Sequence, residues 1–201
     1  MVIIMIHQEF HGTWKEIWTQ KGEQEGGAGD ALEYGGWNKT ITPASEIAQR
    51  IVDVLKIKKT DKVLEIGCGA GGLAQFIDCD IYGIDYAKSS TKKCMKFFQI
   101  PAICAEAADL PFKDKFFDKA FAYGCFMYFC DHDYVRKSIE ELKRVTKEAI
   151  FIGELPRESH EPKHLLFKED VFKKYGFKII QGWAEPYTEV RFSAIYENGN
   201  A

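Results

Sequence analysis

Apolar residues along this chain recur in two rhythms. Short, nearly continuous apolar runs fall at residues 63–66, 81–84, 101–105 and 149–153, the length and composition of buried strands. Between them the spacing changes to that of helices. Residues 43–55 place Ile47, Ile51, Val54 and Leu55 on one face, with Pro43 in the first turn and Thr42 positioned as a cap. A polar helix is expected at about 89–98 and another at 133–146. A short one at 167–175 should stop at Gly176. Strands alternating with helices predict an α/β fold with a parallel sheet. The last two apolar runs, 177–183 and 191–196, are joined by a loop short enough for antiparallel pairing. At the other end, Thr13 caps a helix carrying Trp14, Ile17 and Trp18 on one side, and the Gly- and Glu-rich segment 22–36 reads as a mobile loop.

The chain is organised around Val63-Leu64-Glu65-Ile66-Gly67-Cys68-Gly69-Ala70-Gly71-Gly72. A strand turns through glycines, and Leu73 to Phe76 should begin a helix, leaving backbone N–H groups aimed into a crevice. Two cofactors compete for such a turn. Gly67, Gly69 and Gly72 satisfy the spacing of a dinucleotide fingerprint, with Asp85 downstream as a ribose-binding acid. Glu65, two residues before the first glycine, puts a carboxylate beside the turn, which tolerates a cationic sulfonium better than a pyrophosphate.

With Glu65, Gly67, Gly69 and a second strand ending on Asp85, the sequence resembles the class I S-adenosylmethionine-dependent methyltransferases. Two further stretches add to the resemblance, which runs from about Pro43 to Tyr196: Asp109-Leu110-Pro111-Phe112 after the third strand, and residues 116–123 as a fourth strand beginning on phenylalanine-aspartate. It implies a Rossmann-like, doubly wound, seven-stranded sheet of five parallel strands plus a C-terminal antiparallel pair. It also implies S-adenosylmethionine as cofactor and S-adenosylhomocysteine as product. Carried over residue by residue, Gly67 and Gly69 admit the methionine part, Cys68 contributes its backbone, and Glu65 supplies negative charge. Asp85 accepts from the ribose hydroxyls, Tyr86 stacks on the adenine, and Asp109 with the Leu110 N–H selects the base.

Ligands of open α/β sheets bind beyond the carboxyl ends of the strands. That rule selects Tyr123, set among the cofactor contacts, and Tyr128, His132 and Glu154 on the acceptor side. His132 and Glu154 are the candidate bases for a hydroxyl nucleophile. Trp18, Trp37, Tyr128 and Tyr187 are candidate acceptor contacts. Residues 1–42 read as an N-terminal helix and lid, and 43–201 as the cofactor-binding domain. Ala122-Tyr123-Gly124-Cys125 stands where amino-group methyltransferases of bases or glutamine carry Asn/Asp-Pro-Pro-Tyr/Phe, which favours an oxygen acceptor on a small metabolite, sugar or glycan precursor, quinone or lipid-like molecule. A nicotinamide oxidoreductase and a non-catalytic cofactor-binding module are the competing classes.

Composition narrows the partners further. In 201 residues, 46% hydrophobic, the net charge is −3 with both signs mixed, so no nucleic-acid surface is expected. Residues 2–6 are too short an apolar run for a membrane span or signal core, which predicts a cytoplasmic protein. The six cysteines contain no C-x-x-C pair and read as reduced. His160-Glu161-Pro162-Lys163-His164 matches H-E-x-x-H, but Pro162 breaks the helix a zinc site needs, so no metal is expected. Oligomeric state is unreadable from the sequence.

Overall fold

A computed structural model describes residues 13–34, 41–159 and 161–199. Helix α1 (Trp14–Glu23) opens on a capping box: the Glu16 N–H donates to Thr13 Oγ1, and the Thr13 N–H donates to Glu16 Oε2 at 2.7 Å. The segment expected to be loop is partly helical, because α1 runs on to Glu23 and a 3-10 turn at Ala28–Asp30 leads into α2 (Ala31–Tyr34). Helix α3 (Ala44–Leu55) follows, with Pro43 rather than Thr42 at its cap position. The Thr42 hydroxyl instead accepts from the Glu185 N–H at 3.1 Å, tying this helix start to the far edge of the sheet.

Strands β1 (Lys62–Ile66), β2 (Asp80–Asp85) and β3 (Ala102–Cys104) come next, with α4 (Lys88–Phe98) between β2 and β3. Then follow β4 (Phe117–Tyr123), α5 (His132–Val145), β5 (Thr146–Pro156), α6 (Glu169–Lys173), β6 (Lys178–Gln181) and β7 (Arg191–Glu197). The seven strands lie in the order β3-β2-β1-β4-β5-β7-β6. The first five are parallel, β7 is antiparallel to β5, and β6 is antiparallel to β7. The Rossmann-like, doubly wound sheet expected from the sequence is therefore present.

One expected helix is not. Between β1 and β2 the chain makes only the 3-10 turn Ala74–Phe76, closed by an Ile77 N–H bond to the Ala74 carbonyl. Residues 67–79 must complete the glycine turn and return to the foot of β2, which leaves no length for a multi-turn helix.

The strand pleat divides the core in two. Leu64, Ala120, Ala122, Ile150 and Ile152 face one side, where α5 contributes Val135, Ile139 and Leu142 and α6 contributes Phe172. Val63, Phe121, Phe151 and Ala149 face the other, covered by Ile47, Ile51 and Leu55 of α3 and Cys94 of α4. Both faces of β1 and β4 are thus sealed. Their carboxyl ends open upward between the layers, and the site lies there.

Candidate active site

Over the ends of β1, β2 and β4 lies an open crevice. The glycine turn forms its floor. Gly67 has φ +72° and a Cβ there would stand 2.8 Å from Cys125 Cβ, so only glycine fits. Gly69 has φ +52° and nothing within 4 Å of where a Cβ would be: its backbone faces empty space.

Two carboxylates border this floor. Asp85, the last residue of β2, accepts from the Gly69 N–H at 3.0 Å and the Ala87 N–H at 2.8 Å, so it shapes the turn it borders. Burial raises its pKa to about 6, against the opposing pull of those two N–H groups. Glu65 is 3% exposed, and its Oε2 has no hydrogen-bond partner among the described residues. Burial, with the Cys94 thiol and Asp85 nearby, pushes its pKa well up. An unpartnered buried acid costs stability unless something answers it. Both groups fit a cationic ligand, and the open Gly69 backbone fits a close approach. Cys68 lines the floor too; a hydrogen bond with Cys94, then burial, pushes its thiol pKa up, so its thiol stays protonated.

The side walls correct several expectations. Tyr86 and Tyr123 line the crevice, and the Tyr86 hydroxyl donates to the Trp14 carbonyl at 3.2 Å. Asp109 does not: it is exposed, paired with Glu106 in an isolated bridge. The Leu110 N–H is already given to Glu141 Oε2 at 2.8 Å, leaving nothing for a ring nitrogen. The wall beyond β3 is instead Ala105 and Ala107. Glu106 between them takes the Tyr134 hydroxyl at 2.7 Å and an ion pair from Lys15.

Helix α1 closes the top. Trp18 lines the crevice, and Tyr128 meets Trp14 and Trp18 edge-on with ring centroids 4.7 and 4.9 Å apart. The Trp14 indole N–H donates to the Lys163 carbonyl at 2.9 Å.

Neither expected base reaches this space. His132 is exposed at the start of α5, its ring edge-on to Phe167 at 5.8 Å. Glu154 is buried at φ +63°, where the register between β5 and β7 shifts. Its Oε1 accepts from the Trp183 and Ala184 N–H groups at 2.9 and 3.2 Å, and its Oε2 meets Arg191 at 3.2 Å. It holds the β6–β7 connection to β5. Tyr187 lies outside the crevice as well, its ring 4.0 Å from the Arg191 guanidinium. Trp37 falls outside the described residues, as does His160 of the H-E-x-x-H match. His164 of that match stacks on Trp14 at 5.3 Å, and its Nδ1 lies 2.6 Å from Ser159 Oγ. Among the described residues no group of three or more His, Cys, Asp or Glu side chains could hold a metal, and no helix is long and apolar enough to cross a membrane.

A glycine turn after β1, an acid ending β2 and this strand order are the arrangement of the S-adenosylmethionine-dependent methyltransferase fold. Residues 64–151 match the family described as methyltransferase domain. The chain is similar to two uncharacterized proteins of Methanocaldococcus jannaschii. It is 38% identical to MJ1123 over 147 residues, 63% of this chain and 69% of that one. It is 33% identical to MJ1252 over 107 residues, 53% of this chain but only 41% of the relative's length. Among solved structures, the N-methyltransferase NodS from Bradyrhizobium japonicum WM9, bound to S-adenosylhomocysteine, shares the fold at TM-score 0.73 and 14% identity, covering 94% of this chain and all of that one. A putative S-adenosyl-L-methionine-dependent methyltransferase from Methanococcus maripaludis does so at 0.65 and 16%, covering 94% and 96%. The chain belongs to the class I S-adenosylmethionine-dependent methyltransferase family.

Proposed function

We propose that the protein transfers a methyl group from S-adenosylmethionine to a small-molecule acceptor bound under α1. The observation that carries this reading is the pair of carboxylates, buried Glu65 and half-buried Asp85, facing an open glycine turn with no cation beside them among the described lining residues. S-adenosylmethionine, when bound, supplies a methyl carbon already activated by its sulfonium. Gly67 and Gly69 then admit the methionine part, Asp85 takes the ribose hydroxyls, and Glu65 answers the positive charge. Tyr86 and the Ala105–Ala107 wall flank the base, with Glu106 the nearest acid. Tyr123 borders the methionine end.

The chain's contribution to rate is alignment and exclusion of water, the two effects a displacement on an activated methyl most needs. In this reading α1 is the lid, held by the Tyr86–Trp14 hydrogen bond and the Lys15–Glu106 ion pair. Entry of the cofactor requires both to part. His132 and Glu154, the bases expected for an oxygen acceptor, do not line the crevice.

Calorimetric titration with S-adenosylmethionine, S-adenosylhomocysteine and NADH tests the proposal. Micromolar binding of both adenosyl ligands, lost in Asp85→Ala, is the expected result. Binding of NADH in their place would refute it.

A further inference from the structure

Beyond the cofactor's floor, the crevice continues over the end of β4 between α1 and the 3-10 turn Phe126–Tyr128. Its walls there include Trp18, Tyr123, Tyr128 and Phe129. The Trp18 indole Nε1 is buried and has no hydrogen-bond partner among the described residues. Tyr128 holds the Trp18 ring edge-on from one side. Lys21 covers Trp18 at 4.3 Å, but Lys21 is not among the residues lining the crevice. No Lys, Arg or His lines the crevice among the described residues, whereas two carboxylates, Glu65 and Asp85, border its floor. A flat apolar slot suits a ring, a stranded N–H calls for an acceptor atom, and the charge balance rejects an anion.

Resting on the methyl-transfer reading above, we propose that the acceptor is a small aromatic or heteroaromatic amine, its ring against Trp18 and Tyr128, an accepting atom on Trp18 Nε1, and nitrogen as the nucleophile. The charge balance also chooses the atom. The bound amine first gives its proton to solvent, and the neutral nitrogen then forms the new N–C bond with its lone pair while the C–S bond breaks and leaves its electrons on sulfur. The positive charge passes from sulfur to nitrogen and stays beside Glu65 and Asp85, and the methylated nitrogen afterwards sheds a proton to solvent. A hydroxyl would have to become an oxyanion beside those two carboxylates.

The test uses the full chain saturated with S-adenosylhomocysteine and two probes with one ring and opposite charges: 4-(aminomethyl)pyridine and pyridine-4-carboxylate. Calorimetry should show the amine bound at least tenfold more tightly than the carboxylate. Trp18→Phe, which keeps a ring but removes the N–H, should weaken the amine about fivefold and leave S-adenosylhomocysteine affinity within twofold. With S-adenosylmethionine, mass spectrometry should detect the methylated amine. Equal or reversed preference overturns the proposal, as does an unchanged amine affinity in Trp18→Phe. So does failure of both probes to bind at millimolar concentration to protein that demonstrably holds S-adenosylhomocysteine. Protein that does not bind S-adenosylhomocysteine at all fails at the earlier step and overturns both readings.

Discussion

The two ends of the central strands treat their charges in opposite ways. At the amino end, Lys119 is 3% exposed, yet its ammonium lies 2.5 Å from Asp61 and 3.1 Å from Glu148. Beside it, Asp118 takes the Lys62 N–H at 2.8 Å and the Lys147 ammonium at 2.7 Å. Burial by itself would push Asp118 up, but these partners hold its pKa below the usual range. At the carboxyl end of the central strands, buried Glu65 and half-buried Asp85 have no cation lining the crevice beside them among the described residues, and their pKa values go up. Charges that hold the fold are answered within the chain; charges kept for a ligand are left for the ligand to answer. The difference separates structural acids from functional ones more sharply than residue type or motif does.

Breaking the amino end should cost stability and spare binding. Asp61→Ala leaves Lys119 buried with one half-exposed partner, and should lower the unfolding free energy in urea by about 3 kcal/mol. S-adenosylhomocysteine affinity should stay within twofold. Replacing both partners, as Asp61→Leu with Lys119→Met, should recover most of that loss, since the buried charge is then gone.

Breaking the carboxyl end should do the reverse. Asp85→Ala should weaken S-adenosylmethionine about 100-fold by calorimetry, roughly 2.7 kcal/mol. Acidity offers a milder version of the same break. With Asp85 at about 6 in the free protein, a cationic ligand favours its ionised form. Affinity should therefore rise roughly tenfold from pH 5 to pH 7 and then flatten. The same raised pKa makes folding less favourable as pH climbs from about 4 to 6, because the unfolded carboxyl has already lost its proton there while the folded one still holds it. Asp85→Asn should remove the pH dependence of binding. Smallest of all, His132→Ala should change turnover less than twofold in a methyl-transfer assay, because the side chain is exposed outside the crevice. A tenfold loss would restore His132 as a base and blur the contrast between the two ends.

How much of this was legible beforehand depends on the range of the interaction. The strand–glycine–strand core, from Glu65 to Asp85, could be read because a buried strand, a left-handed turn and an acid at a strand end are written in adjacent residues. The Thr13 cap of α1 was legible for the same reason, whereas the sheet of five parallel strands and an antiparallel pair came with the family resemblance. The missing helix after Gly72 was not, since its absence follows from the length left to reach β2. His132 and Glu154 carried the right side-chain chemistry near the right strand ends. Their roles turned on Phe167, Trp183, Ala184 and Arg191, all distant in sequence.

By itself, then, the sequence determined the class of cofactor turn, the α/β alternation and the acids available to a ligand. These follow from backbone chirality, hydrophobic period and charge, which act between near neighbours. Tertiary structure alone decided which acids stayed unpaired. It drew Glu154 into the β6–β7 connection and left Asp109 exposed, and it laid Trp18 over the slot beside Tyr128. The physical reason is that burial and pairing are properties of long-range contacts. A carboxylate's function is set by what the fold does, or does not, bring to meet it.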